Sequence, residues 1–109
     1  MFNSVNVSGG ITLAYVVFKF KRGLSQKLTL QNPIDIVVGK NKYKVEPDKA
    51  LEVELKAGEY DVKTFITSQD KEMGVVNTKL TVHDKEKYEV TYEYNTLAGS
   101  GKVTVTVKS

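Results

Sequence analysis

The sequence predicts an all-β domain, an antiparallel β-sandwich of about seven to nine short strands with no substantial helix. Three observations carry that prediction. Apolar and polar residues alternate with period two in "LEVEL" (51–55), "KYEVTYEYN" (87–95) and "KVTVTVK" (102–108), the mark of strands with one face on a core and one in water. Turn signals recur at short spacing, among them Arg22-Gly23, Asn32-Pro33, Gly39-Lys40-Asn41, Pro47-Asp48, Ala57-Gly58, 70–74, Asp84-Lys85-Glu86 and 98–101. No window of about eleven residues sustains a helical period.

The strands fall at 11–20, 27–31, 34–38, 42–46, 51–55, 59–67, 78–83, 87–95 and 101–108. The first ten residues, "MFNSVNVSGG", are an arm, or a short edge strand through Val5 and Val7. Asn6-Val7-Ser8 fits a glycosylation acceptor, a pattern common by chance. Residues 11–109 form one sandwich domain, which suits a chain of 109 residues. The segment Ile11–Phe18 is apolar and Lys19, Lys21 and Arg22 end it. Such a strand is expected at a sheet edge, where lysines deter edge-to-edge pairing. Leu51, Val53 and Leu55 share one face, as do Tyr88, Val90, Tyr92 and Tyr94, and then Val103, Val105 and Val107. The last strand pairs antiparallel with 87–95 across the loop "TLAGSG".

Two geometries fit "LEVELKAGEYDV" (51–62). In a tight hairpin Leu55 faces Tyr60, but Ala57 then needs a positive φ. In a corner, one strand ends and the next begins in the opposite sheet. Gly58 takes the awkward dihedral, and Tyr60 turns its ring inward and its hydroxyl back to the corner backbone. The corner is the preferred reading.

The stretch "IDIVVGKNKYKVEPDKALEVELKAGEYDVKTF" (34–65) resembles the PEGA-type and related small bacterial immunoglobulin-like sandwiches. Those run strand, Gly-Lys turn, short strand, then a Leu-x-x-Gly-x-Tyr-x-Val corner. Gly39-Lys40, Leu55, Gly58, Tyr60 and Val62 occupy the matching positions. "LKAGEYDV" is also similar to the fibronectin type III corner. The chain lacks the proline-glutamate-glycine-alanine tetrad of PEGA repeats and adds the terminal strand pair 87–95 and 101–108. The resemblance implies an immunoglobulin-like sandwich and a non-catalytic role in adhesion, spacing or ligand contact.

The charge is uneven. Residues 1–34 carry Lys19, Lys21, Arg22 and Lys27 and no carboxylate, and all 13 carboxylates lie from Asp35 onward, within a net charge of +3. "FKFKRG" (18–23) is therefore the candidate contact for an anionic partner, through Lys19, Lys21 and Arg22. The competing reading is a solvated, lysine-guarded strand end, and nucleic acid is not favoured. There is no cysteine and one histidine, His83, beside Asp84 at a strand end. No nucleophile, base and orienting group assemble from these residues, so no enzyme is expected, and no cofactor or metal site. "AGSGKVT" (98–104) lacks the full phosphate-loop spacing and leads into a strand. Glu52, Glu54, Glu89, Glu93, Asp70 and Glu72 read as solvated carboxylates with lysine partners. The tyrosines Tyr88, Tyr92 and Tyr94 read as core; exposed, they would make a platform for sugar rings or nucleic-acid bases.

No run reaches the roughly 20 apolar residues of a membrane helix, and no signal-peptide pattern is present. The default placement is cytoplasmic, or cell surface or secreted if the chain is a fragment of an exported protein. The expected role is a non-catalytic interaction module that contacts a protein partner or self-associates. The alternative is a module that binds carbohydrate or another ligand through loops or tyrosines.

Overall fold

The computed structural model describes residues 13–108; the arm 1–10, with Asn6-Val7-Ser8, lies outside the described residues. Among the described residues eight strands pair into two four-stranded sheets. Strands β1 (Leu13–Lys21), β4 (Ala50–Lys56), β7 (Lys87–Asn95) and β8 (Ser100–Lys108) form one sheet in the order β4-β1-β7-β8. Strands β2 (Ile34–Val38), β3 (Asn41–Val45), β5 (Gly58–Ser68) and β6 (Lys71–Val82) form the other in the order β3-β2-β5-β6. All neighbours are antiparallel except β1 and β7, which run parallel.

Alternation decides which side chains enter the core. Ala14, Val16, Phe18 and Phe20 of β1 are buried together with Ile34, Ile36, Val38, Val62, Ile66, Leu80, Val82, Tyr88, Val90 and Tyr92. The Phe20 and Tyr92 rings meet edge to face, 5.7 Å apart at 67°, the geometry that aligns a positive ring edge with a negative face.

The basic strand is not at an edge. β1 pairs with β4 on one side and β7 on the other. Its period-two pattern already carries Lys19 and Lys21 to the outer face of the sheet, so an interior strand exposes them without needing an edge. Among the described residues the four edges are β3, β4, β6 and β8.

Residues 27–31 are not a strand. A 3-10 turn spans Leu24–Gln26, followed by turn backbone to Thr29. The Leu30 N–H donates to the Gln26 carbonyl at 2.8 Å, and the Arg22 guanidinium takes the Lys27 and Leu30 carbonyls at 3.2 and 2.8 Å. Side-chain donors thus satisfy carbonyls that a sheet ladder would otherwise satisfy. The turn expected over 70–74 is confined to Gln69 and Asp70, both at positive φ (51° and 63°), as a two-residue hairpin turn requires. β6 therefore begins at Lys71 and not at residue 78.

Gly74 lies within β6 at φ +58°. The β5–β6 register advances from Thr64↔Val76 to Ile66↔Met73, so β6 carries one extra residue there, a β-bulge. The bulge presents the Gly74 carbonyl to the Tyr92 hydroxyl, which donates to it at 2.7 Å. On β8, a Cβ at Gly101 would fall on the Gly74 carbonyl oxygen and 2.6 Å from the Tyr92 hydroxyl oxygen. Only glycine lets the two edge strands approach so closely.

The corner is formed. β4 ends in one sheet and β5 begins in the other; Gly58 adopts φ +155°, a value that L side chains rarely take. The Tyr60 hydroxyl donates to the Lys56 carbonyl at 2.7 Å. The Tyr60 ring packs against the core half-buried. Tyr60→Phe should lower the unfolding free energy by about 1 kcal/mol, the net value of one hydrogen bond; urea titration checks it, and an unchanged midpoint would dismiss the bond's role. Gly101→Ala should cost about 1–3 kcal/mol, as overpacking does; a variant as stable as the parent would show that β6 and β8 need not meet.

Candidate interaction surface

Lys19 and Lys21 project from the outer face of β1, and each has a carboxylate beside it. Lys19 Nζ lies 2.9 Å from Glu89 Oε2. The hydrogen bond from Lys19 holds the Glu89 carboxyl below its usual value of 4.5, against a smaller opposing effect of burial. Lys21 stands opposite Glu93 in the β1–β7 register, and Glu93 stands opposite Lys102 in the β7–β8 register. The outer face of this sheet is thus charge-alternating, not uniformly basic.

Arg22 turns away from that face. Its Nη2 and Nε reach Asp48 Oδ2 at 2.7 and 3.1 Å, and its backbone N–H donates to Asp48 Oδ1 at 3.2 Å. With Nη1 on the Lys27 and Leu30 carbonyls, one guanidinium ties the 22–33 loop to the β3–β4 turn. Its side chain is 12% exposed. The hydrogen bond from Arg22 holds the Asp48 carboxyl below its usual value of 3.8. Sequence reasoning singled out Arg22 as a contact; its partner Asp48, in the Pro47-Asp48 turn, carries no signal of its own. The three basic residues still border one shallow hollow, with Lys27, Lys49, Asp48, Glu89 and Glu93 around them.

The other candidates are placed as follows. Tyr88 and Tyr92 are in the core, and Tyr94 is half-buried against it. Burial, with a lesser contribution from Tyr94, pushes the Tyr92 hydroxyl up to about 12. His83 is exposed, and its backbone N–H donates to the Tyr88 hydroxyl at 2.9 Å. Glu72 pairs with Lys63 at 2.8 Å; Glu52 and Glu54 are exposed on β4. The segment 98–104 turns from β7 into β8. Among the described residues no cluster of three or more His, Cys, Asp or Glu could hold a metal ion.

The feature that sequence reasoning missed is on β8. Its valines oppose Tyr92, Val90 and Tyr88 of β7 in register and face the same way. They were expected to be covered. Val103 is half-buried, but Val105 and Val107 are 40% and 53% exposed. β8 is an edge, and among the described residues no strand pairs with its second side. The other edges carry protective devices. β3 is short, with Lys42 and Lys44 exposed; β4 exposes Glu52 and Glu54; β6 has its bulge and Lys79. β8 carries charge only at Lys102 and Lys108, leaving Val103 to Val107 uncharged. The signal that could have found it is that run of five residues without a charge between Lys102 and Lys108.

The carboxylates of Asp48 and Glu89 are depressed in the folded state, so their contribution to stability is present above the usual carboxyl range and lost as pH falls through their lower folded values. Asp48→Asn combined with Glu89→Gln should therefore flatten the acid limb of the stability–pH curve below about pH 4. An acid limb of unchanged steepness would deny both pairs a role. In comparisons with known proteins, the chain matches no family model and no curated sequence.

Proposed function

We propose that this chain is a non-catalytic interaction module, an immunoglobulin-like sandwich related to the PEGA type, that meets a protein partner or a second copy of itself by strand addition at β8. The observation that carries the reading is the nine-residue β8 edge with an uncharged centre and half-exposed inward valines. An unpaired strand edge offers a row of backbone donors and acceptors, and an added strand would satisfy them while covering Val105 and Val107. The corner at Gly58 and Tyr60 supports the kinship, being the part of the resembling stretch with a defined geometry. A sugar platform built on Tyr88 and Tyr92 is disfavoured, because both rings are inside.

Light scattering over a concentration series, and titration with a peptide of residues 100–108, test the reading. Self-association or peptide uptake is expected, and Val105→Lys should abolish it while leaving the circular dichroism unchanged. A chain that stays monomeric at high concentration and takes up no peptide, or association that survives Val105→Lys, would overturn strand addition at β8.

A further inference from the structure

Three leucines stand almost fully in water at one end of the sandwich. Leu24 and Leu28 are 88% and 90% exposed and Leu97 is 102% exposed, well beyond any other large apolar side chain described. They sit on two loops, 22–33 and 96–99, that are joined. The Gln26 side chain is buried and donates to the Tyr94 carbonyl at 2.6 Å and to Thr96 Oγ1 at 2.8 Å.

Both loops are also braced internally. Arg22 holds the first through the Lys27 and Leu30 carbonyls. Asn95 holds the second, its side chain accepting from the Ala98 N–H at 3.0 Å and its carbonyl from the Gly99 N–H at 2.8 Å. Leu30, in the same loop, is buried. The chain thus folds one leucine in and holds the others out on a tied scaffold.

We propose that this end docks on an anionic lipid bilayer, with Leu24, Leu28 and Leu97 entering the interfacial region and lysines meeting the headgroups. Lys27 lies between the first two leucines in sequence, and Lys21 and Lys102 line the hollow between the loops, where Glu93 is the one opposing charge. Asp48 is neutralised by Arg22. Separate apolar tips on loops that also carry lysines suit a fluid acyl layer, which closes around each tip, better than a rigid protein face, which needs a continuous complementary patch. Leucine has no ring to stack on bases, which disfavours single-stranded nucleic acid. No helix among the described residues is long and apolar enough to cross a membrane; the contact proposed is at the bilayer surface.

The chain contains no tryptophan, so Leu97→Trp places a single reporter at a tip. With phosphatidylcholine/phosphatidylglycerol vesicles its emission should shift to the blue and be quenched by brominated acyl chains, and both effects should weaken as salt is raised. In the parent chain, serine at positions 24, 28 and 97 should lower vesicle partitioning by about tenfold for each leucine removed, with unfolding unchanged because these side chains are almost fully exposed. Val105→Lys should bind vesicles as the parent does, separating this surface from the β8 edge. The proposal is overturned by a reporter that neither shifts nor is quenched at low salt, by partitioning that survives the triple serine change, or by binding to heparin or nucleic acid with vesicles ignored.

Discussion

The hydrogen bond from the Tyr92 hydroxyl to the Gly74 carbonyl is the contact on which the shape of this sandwich depends. Tyr92 is the largest side chain in the core with almost no exposure, and its ring is set by Phe20. A phenol so buried requires a partner, since an unsatisfied hydroxyl costs about 1–3 kcal/mol. The bulge at Gly74 brings a carbonyl within reach, and Gly101 removes the side chain that would block it. Two edge strands from opposite sheets, β6 and β8, are thereby drawn together at the start of β8.

That closure is local, and the rest of β8 follows from it. Exposure of the inward residues rises along the strand, from the half-buried Gly101 and Val103 to the exposed Val105 and Val107. The same closed end bears the loops held by Gln26 and Arg22, which place three leucines in water. The far end of the molecule carries the Gly58–Tyr60 corner, where a single hydrogen bond fixes the passage between sheets. The molecule is therefore asymmetric: braced loops with apolar tips at one end, and along one side an edge strand that is closed where it begins and open where it finishes.

Much of this was legible in the residues. Strict alternation at 51–55, 87–95 and 102–108 reports strand identity directly, because the period of two is a property of the strand itself. The corner was legible because Gly58 and Tyr60 do separate, local jobs. The loop at 22–33 was not, since Leu28 and Leu30 alternate as a strand would, while the Leu30 backbone is satisfied by Arg22 and Gln26. Gly74 read as a turn because a glycine signals positive φ, and a bulge demands the same dihedral as a turn. The interior position of β1 was hidden because lysine alternation looks alike on an edge and on the outer face of a central strand. Arg22 shows the limit for sites: its charge is visible in sequence, but whether it faces a partner or Asp48 depends on a turn 26 residues away.

The central claim is that β8 is closed at Gly101 and open from Val105 onward, so that only its later half accepts another strand. Residue-resolved amide hydrogen exchange measures this directly. The account predicts slow exchange around Gly101 to Val103 at every protein concentration. It predicts fast exchange of the outward amides from Thr104 to Lys108 in dilute protein, slowing as concentration or added strand peptide rises. Uniform protection along β8 that ignores concentration and peptide would contradict it.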